Sequence, residues 1–499
     1  MKLRALIFCL AMVAVAHAQS TQPSSASDLL HNALAAMGGE QKIRDLKTLH
    51  LTMLGHRNFL EQSERPEGPY IVEYEEIDEW RDLEHGRWQQ EAHSRDVLEE
   101  SSLKMIVAEE AAAQKAGDKE FAGSDELLQT ASDALAFGPE RVLLNGITAT
   151  DLKRLPDLKL QDVPHQVAQF TSAGIPVRVF LNAETHLPTA VEWVSVYPYG
   201  IFWSIWGDVT TRVYYSLWWL QNGIHYPLQL DVFRNNLPDR SATIRKIEFN
   251  AQVPAETFAI TPAVRSAFAA RARITADERP LQIASRPVQE PAPGIVIIPG
   301  AWNTTIVRQQ DGLVVLEAPI SSGYSAKVIA EAERRFPGVP IRAVITTSDA
   351  WPHIGGVREY VARKIPVYVV ARTVPLLQRF LDAPRTILPD ALAKSPRKPL
   401  LHQVSDRVAI GSGPNRIEIY PLRGETSERQ MMVYFPEHKL LYGSDVFQKT
   451  PDGKYFYPQT VSEVAAAVER EHLSVERFFM MHMGVTPWQD ALGVLRDAS

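Results

Sequence analysis

The sequence predicts two folded domains in series: an α+β domain built on a large curved antiparallel sheet, then a domain in which strands alternate with helices. Three observations predict this. Two short helical patterns near the N-terminus precede a long series of strand-like runs. A proline-containing stretch without periodicity, Ala270 to Pro293, follows and reads as a linker. Beyond it, buried strand-like runs recur between amphipathic helical ones.

The first residues read as a secretory signal over 1–18, with Lys2 and Arg4 as the positive region, Ala5 to Val15 as the apolar run and Ala16-His17-Ala18 as the cleavage site. The mature chain is then expected to begin at Gln19 and to be exported, periplasmic or secreted. A membrane anchor is the competing reading, but the apolar run falls far short of the roughly 20 residues a span needs. Cys9 would suggest a lipoprotein only if it closed the signal, and apolar residues continue after it. No later stretch is apolar for long enough to span a bilayer. Cys9 is the single cysteine, so disulfides, thiolate nucleophiles and Cys-ligated zinc are excluded from the mature chain, and any metal must be held by His, Asp or Glu. A net charge of −7 over 499 residues argues against nucleic acid as a partner.

Residues 19–27 read as a flexible leader and 28–269 as the α+β domain. Asp28 is the expected cap of a first helix, Leu29 to Met37, stopped by Gly38-Gly39; Glu40 to Leu46 is a second. From Leu98 to Leu144 the Ala/Glu/Leu-rich composition predicts helices. Strands are then expected at Gln166 to Thr171, Val177 to Leu181, Pro188 to Val196, Val209 to Leu220, Leu228 to Phe233 and Thr243 to Phe249. The stretch Trp193 to Trp219 is dense in Trp and Tyr. It reads either as an apolar groove for a small apolar or lipid-like ligand, or as a curved sheet filled by large side chains, which strand alternation predicts equally well. This region, with Asn222-Gly223-Ile224-His225-Tyr226-Pro227 after it, resembles the lipoprotein-carrier-like half-barrels that precede other domains in some secreted proteins.

The second domain, 294–499, opens with strands at Gly294 to Ile298, Thr304 to Gln309 and Leu313 to Ala318. A helix, Ser325 to Phe336, and a buried strand, Ile341 to Thr347, follow; Ile354-Gly355-Gly356 then leads into another helix. The run RAVITTSDAWPHIGGVREYVARKIPVYVV resembles the metal-binding segment of the metallo-β-lactamase superfamily, where a buried strand ends in Thr-His-x-His-x-Asp-His before x-Gly-Gly and a helix. APRTILPDALAKSPRK, RGETSERQMMVYFPEHKLLYGSDVF and SVERFFMMHMG are similar to that family in the same order. The resemblance covers the whole domain and implies an αββα sandwich of the secreted, hydrolase-like kind.

In that family two zinc ions about 3.5–4 Å apart clamp a substrate oxygen and acidify a bridging water. Three imidazoles hold the first ion; an Asp and two His hold the second, and a further Asp bridges both. Carried onto this chain, the resemblance puts Ser348 and Ala350 where two first-site imidazoles belong and Pro352 where the motif Asp belongs. The third first-site His is replaced at Glu425-Thr426. His353, Asp445 and His482 stand at retained positions, and Asp349 and Glu425 are candidate recruits for a shifted site. Zinc is thus expected at no more than one ion per chain, or not at all. No nucleophile elbow, phosphate loop or dinucleotide fingerprint is present, and Asn303-Thr304-Thr305 reads as a chance glycosylation sequon.

Three functions remain in competition: a non-catalytic ligand- or partner-binding module, a single-zinc hydrolase of an ester, lactone or amide-type substrate using His353, Asp445 and His482, and a carrier role suggested by the half-barrel resemblance. Three protein ligands plus a water make a workable catalytic zinc site, so the second stays open.

Overall fold

The computed structural model describes residues 24–61, 65–95, 100–449, 453–455 and 458–497. The expected signal segment, Cys9 included, lies outside these. Ser25, rather than Asp28, caps the first helix (Ala26–Ala36): Asp28 N donates to Ser25 Oγ at 3.1 Å while Ser25 N donates to Asp28 Oδ2 at 2.9 Å. This reciprocal box satisfies two of the helix's free amide ends and starts the helix inside the stretch expected to be a flexible leader. Gly38 and Gly39 stop it with φ of +119° and +111°, a conformation closed to most residues with a Cβ.

The first domain carries one antiparallel sheet of 13 strands. Six strands, Thr48–Asn58 through Lys119–Ala122, form a meander, and two helices follow, Asp125–Phe137 and Pro139–Thr148. Seven more strands run from Lys153–Leu160 to Leu237–Phe249, and the last pairs back onto Thr48–Asn58. One face packs on the helices through a core that includes Leu30, Leu49, Val142 and Trp193. Every strand expected between residues 166 and 249 is present.

The helices expected from Leu98 onward begin only at Asp125; Glu100–Ala108, Ala111–Ala116 and Lys119–Ala122 are strands. Glu109 and Glu110 adopt φ of +53° and +60°, turning the chain into a hairpin. Ala111, Ala112 and Ala113 are then buried beneath Leu127 and Ala131 of the next helix. Alanine's helix preference is a few tenths of a kcal/mol per residue, and pairing plus burial outweighs it.

The second domain is four-layered. A seven-stranded sheet begins at Gln289–Ala292, inside the stretch expected to be linker, and continues through Ile341–Thr346 and Val367–Val370 to Leu401–Val404. A six-stranded sheet runs from Val408–Ile410 to Thr486–Pro487. The two face one another through Ile295, Leu316, Ile345, Val433 and Phe479. Helices Ser322–Arg335 and Val357–Ala362 cover the outer face of the first sheet; Pro458–Arg470 and Trp488–Asp497 cover that of the second. Among the described residues no helix is long and apolar enough to cross a membrane.

The aromatic stretch explains how the domains meet. Trp203–Trp206 is a short 3₁₀ turn that leaves the 13-stranded sheet and buries Trp203 and Trp206 against Trp351 of the second domain, with ring centroids 5.1 and 5.2 Å apart. Phe380 closes the box 4.3 Å from Trp206. Neither an apolar groove nor simple sheet filling describes these two indoles, because the chain has left the sheet where they sit. Trp193 does fill the sheet core, and Trp219 is exposed. Residues 270–293 are anchored as well: Ala276 N donates to Pro198 O at 2.7 Å and Gly323 N to Asp277 Oδ1 at 2.8 Å.

Candidate functional site

Four strand ends of the sandwich meet at one rim. Ile341–Thr346 leads into Ser348 and the one-turn helix Trp351–Ile354; Ile417–Pro421 leads to Glu425; Leu440–Tyr442 leads to Asp445; Arg477–Phe479 leads to His482. His353, Asp445 and His482 converge there. His353 Nε2 stands 3.2 Å from Asp445 Oδ2, and the two imidazole centroids are 6.1 Å apart.

The backbone is built to hold them. His353 N donates to Ala350 O at 2.9 Å and Gly356 N to Ala318 O at 2.8 Å, pinning the turn to the preceding strand end. Gly355 and Gly356 sit where a Cβ would collide with Ile320 O and Ser321 O, each at 2.6 Å. The Gly-Gly pair therefore permits close approach of two backbones. Asn303, the sequon residue, is buried and uses its amide to hold the His482 loop through Met480 O and Met483 O at 3.2 and 3.3 Å. Glu317, Ile320 and Ser444 all take positive φ, +71°, +69° and +60°. Such strain costs about 1–3 kcal/mol per residue and gathers at functional rims.

The electrostatics follow from burial and pairing. Burial disfavours charge on Asp445, but the adjacent His353 imidazolium outweighs it and holds the carboxyl well below the usual range. Burial likewise works against a charged His353, and Asp445 outweighs it, raising the imidazole's pKa. Burial and the His353 cation push His482 down to about 4, so this ring is neutral. Glu317, fully buried, accepts hydrogen bonds from Thr347 N at 3.3 Å and Tyr442 OH at 3.0 Å, and burial lifts it to about 7.

The other positions do not join the group. Ser348 Oγ accepts from Ala350 N at 3.2 Å, so its hydroxyl braces the loop. Pro352 occupies the first turn of the one-turn helix, where a missing N–H costs nothing. Glu425 is exposed. Asp349 is taken by Arg429, whose Nε donates to Asp349 Oδ2 at 2.5 Å. Arg429 also donates to Arg372 O at 2.8 Å and lies 3.8 Å from Glu67 of the first domain. Arg65 of that domain pairs with Glu428 at 2.8 Å, so the first domain reaches the rim.

Two metals do not fit this donor set. No group of three or more His, Cys, Asp or Glu among the described residues is disposed to hold an ion. His353, Asp445 and His482 include one ion pair whose cation, His353, would have to give up its proton to bind metal. Glu317 and Arg429 were missed by sequence reasoning, because neither falls at a position the resemblance marks. Glu317 at the close of a buried Val/Leu strand was the one available signal, since a carboxylate there demands partners.

No protein-family model matches the sequence, and no curated protein matches it. Among solved structures, the chain is similar to the stereoselective inverting sec-alkylsulfatase Pisa1 from Pseudomonas sp., with 16% identity over 42% of this chain and a TM-score of 0.32. It matches 40% of the alkylsulfatase's length. The DIM-1 metallo-β-lactamase is 13% identical over 43% of this chain and 98% of its own, with a TM-score of 0.33. A metallo-β-lactamase from Pontibacter korlensis is 13% identical over 42% of this chain and 99% of its own, also at a TM-score of 0.33.

Proposed function

We propose that this chain is an exported protein of the metallo-β-lactamase fold whose zinc centre has been dismantled, and that it acts as a ligand- or partner-binding module with little or no hydrolase activity. The observation that carries this reading is the internal neutralisation of the rim. Asp445, where a bridging carboxylate is expected, is paired with His353 at 3.2 Å, and Asp349 is paired with Arg429 at 2.5 Å. The chain's own cations stand against the two carboxylates that a metal would otherwise need. With Ser348 engaged by backbone and Ala350 unable to ligate, nothing remains to place a bridging water.

The single-zinc hydrolase is the second reading, and one observation favours it: His482 is neutral and therefore ready to ligate, within reach of His353 and Asp445. Elemental analysis of protein purified in zinc-containing buffer, together with turnover of lactam, lactone and thioester substrates, decides between them. The binding-module reading expects well under one zinc per chain and no zinc-dependent turnover. Stoichiometric zinc with turnover abolished by His482→Ala overturns it. The combined change Ser348→His, Ala350→His and Pro352→Asp is expected to raise zinc stoichiometry above that of the wild type; an unchanged value means the lost-ligand positions are misassigned.

A further inference from the structure

A cavity of about 420 Å³ opens where the two domains meet. Tyr197 and Ile205 of the first domain, Ala276 of the segment between the domains, and Arg385, Leu388 and Lys394 of the second domain all line it. Cavities of a few hundred Å³ at domain junctions are preferred seats for small molecules, with apolar walls and a few placed polar groups.

The polar chemistry centres on Arg385. Its side chain is 11% exposed, and a guanidinium carries five N–H donors. Among the described residues it donates one hydrogen bond, from Nη2 to Ile205 O at 2.5 Å. Nε stands 3.2 Å from Asp390 Oδ2 without the alignment of a hydrogen bond, and is buried without a partner. Asp390 is committed elsewhere: it accepts from Arg358 Nε and Nη2 at 2.6 and 3.0 Å and from Ala393 N at 2.8 Å. The two other carboxylates near Arg385 are committed in the same way. Asp277 accepts from Gly323 N at 2.8 Å, in the first turn of Ser322–Arg335, and Asp208 accepts from Thr386 N and Ile387 N at 2.7 and 3.2 Å. Burial and the Arg358 cation therefore pull Arg385 down to about 10, against the opposing effect of all three acids. A buried guanidinium with four of its donors unused lacks an acceptor.

The surroundings favour an acceptor that is charged and carries an apolar body. Ser204, in the same wall, has a buried Oγ without a partner. Lys394 is exposed and forms no ion pair among the described residues. Leu388 is 53% exposed, a large apolar side chain beside that cation, while Tyr197 and Ile205 are buried behind it. One space is thus faced by a guanidinium, an ammonium group and apolar surface. Carboxylates match the planar fork of a guanidinium.

We propose that the junction cavity binds a small amphipathic monocarboxylate, its carboxylate on Arg385 and Lys394 and its apolar body along Tyr197, Ile205 and Leu388. None of His353, Asp445 and His482 lines this cavity, so the site stands whether or not the rim holds zinc.

Titration calorimetry of the full chain with octanoate tests this. Octanol and octylammonium match its chain without its charge, and acetate matches its charge without its chain. Octanoate is expected to bind saturably at one site, and each of the other three at least tenfold more weakly. Lys394→Glu is expected to weaken octanoate at least tenfold and Leu388→Ser severalfold; both side chains are exposed, so neither change should disturb the fold. Arg385→Gln is expected to abolish binding where circular dichroism shows the variant folded. Lys398→Gln removes an exposed cation outside the cavity and is expected to change nothing. No heat with octanoate, equal binding of octanol or acetate, or undiminished binding in Lys394→Glu overturns the proposal; the last means adsorption to scattered apolar surface.

Discussion

Replacing Trp206 by alanine tests the claim that the domains form one mechanical unit around the rim. The indole is 3% exposed and lies between Trp351, Phe380 and the Arg379 guanidinium at 5.2, 4.3 and 5.3 Å. A tryptophan buries about 200 Å². At about 25 cal/mol per Å² its loss forfeits about 5 kcal/mol. A compact denatured chain already hides part of that surface, so about 3–5 kcal/mol is expected, the usual range for truncating a large core aromatic. Because Trp351 begins the turn that carries His353, the damage should reach the rim as well as the junction. Urea unfolding followed by near-ultraviolet circular dichroism reads the loss, with Trp219→Ala as the control. Trp219 is 61% exposed, so its removal should cost less than about 0.5 kcal/mol. Equal effects for the two variants, or a loss below about 1 kcal/mol for Trp206→Ala, would refute the junction.

Three further outcomes are expected. Glu317→Gln removes a carboxyl whose pKa rises from 4.5 to about 7 on folding. The folded state binds the extra proton, so the wild type loses stability as pH rises between about 4 and 7, by about 3 kcal/mol; the variant should flatten that slope in denaturation curves taken across the window, and an unchanged slope contradicts the assignment. Gly356→Ala forces a Cβ onto Ser325 and Ser321 O, which should cost about 1–3 kcal/mol in thermal melts, whereas a neutral result would mean the Gly-Gly turn is not close-packed. Glu140→Ala leaves the fully buried Arg81 with Glu79 alone, at 2.7 Å, and takes away the acceptor of Tyr226 OH; about 3–5 kcal/mol should be lost in urea, and a loss below 1 would show that the triad is not an ionic anchor.

Legibility in the sequence divided along physical lines. Strands rich in β-branched residues, such as the largely buried run Val177 to Leu181 or the buried run Ile341 to Thr346, were readable because one chain segment carries the whole signal. The strands Glu100–Ala108 and Ala111–Ala116 were not, because alanine's local preference is helical and only burial against Leu127 and Ala131 decides the matter. At the rim, the closeness of His353, Asp445 and His482 was expected because all three follow strand ends in the order the resemblance marks. Glu317 and Arg429 escaped because their significance is a distance across the fold: Arg429 meets Asp349 from 80 residues away. Glu425 looked like a recruit by position alone, and the loop turns it to solvent. Trp203 and Trp206 were visible as residues but not as a junction, since nothing local marks the point where a chain leaves its sheet.

The back-pairing of Leu237–Phe249 onto Thr48–Asn58 has a consequence for how the chain is made. His50 meets Glu248 across 198 residues, so the sheet is sealed only when nearly the whole domain has left the ribosome. Non-local pairing of this kind slows folding far more than it weakens the product. Until then Thr48–Asn58 is a naked edge, a template for pairing with another molecule. The finished sheet instead ends at Lys119–Ala122 and Lys153–Leu160, strands carrying Lys119, Glu120, Lys153, Arg154 and Asp157, with Pro156 among them. Charge and proline are poor templates for a neighbour. Completion therefore exchanges an aggregation-prone border for a guarded one, and a chain cut short before Leu237 should be found in the insoluble fraction.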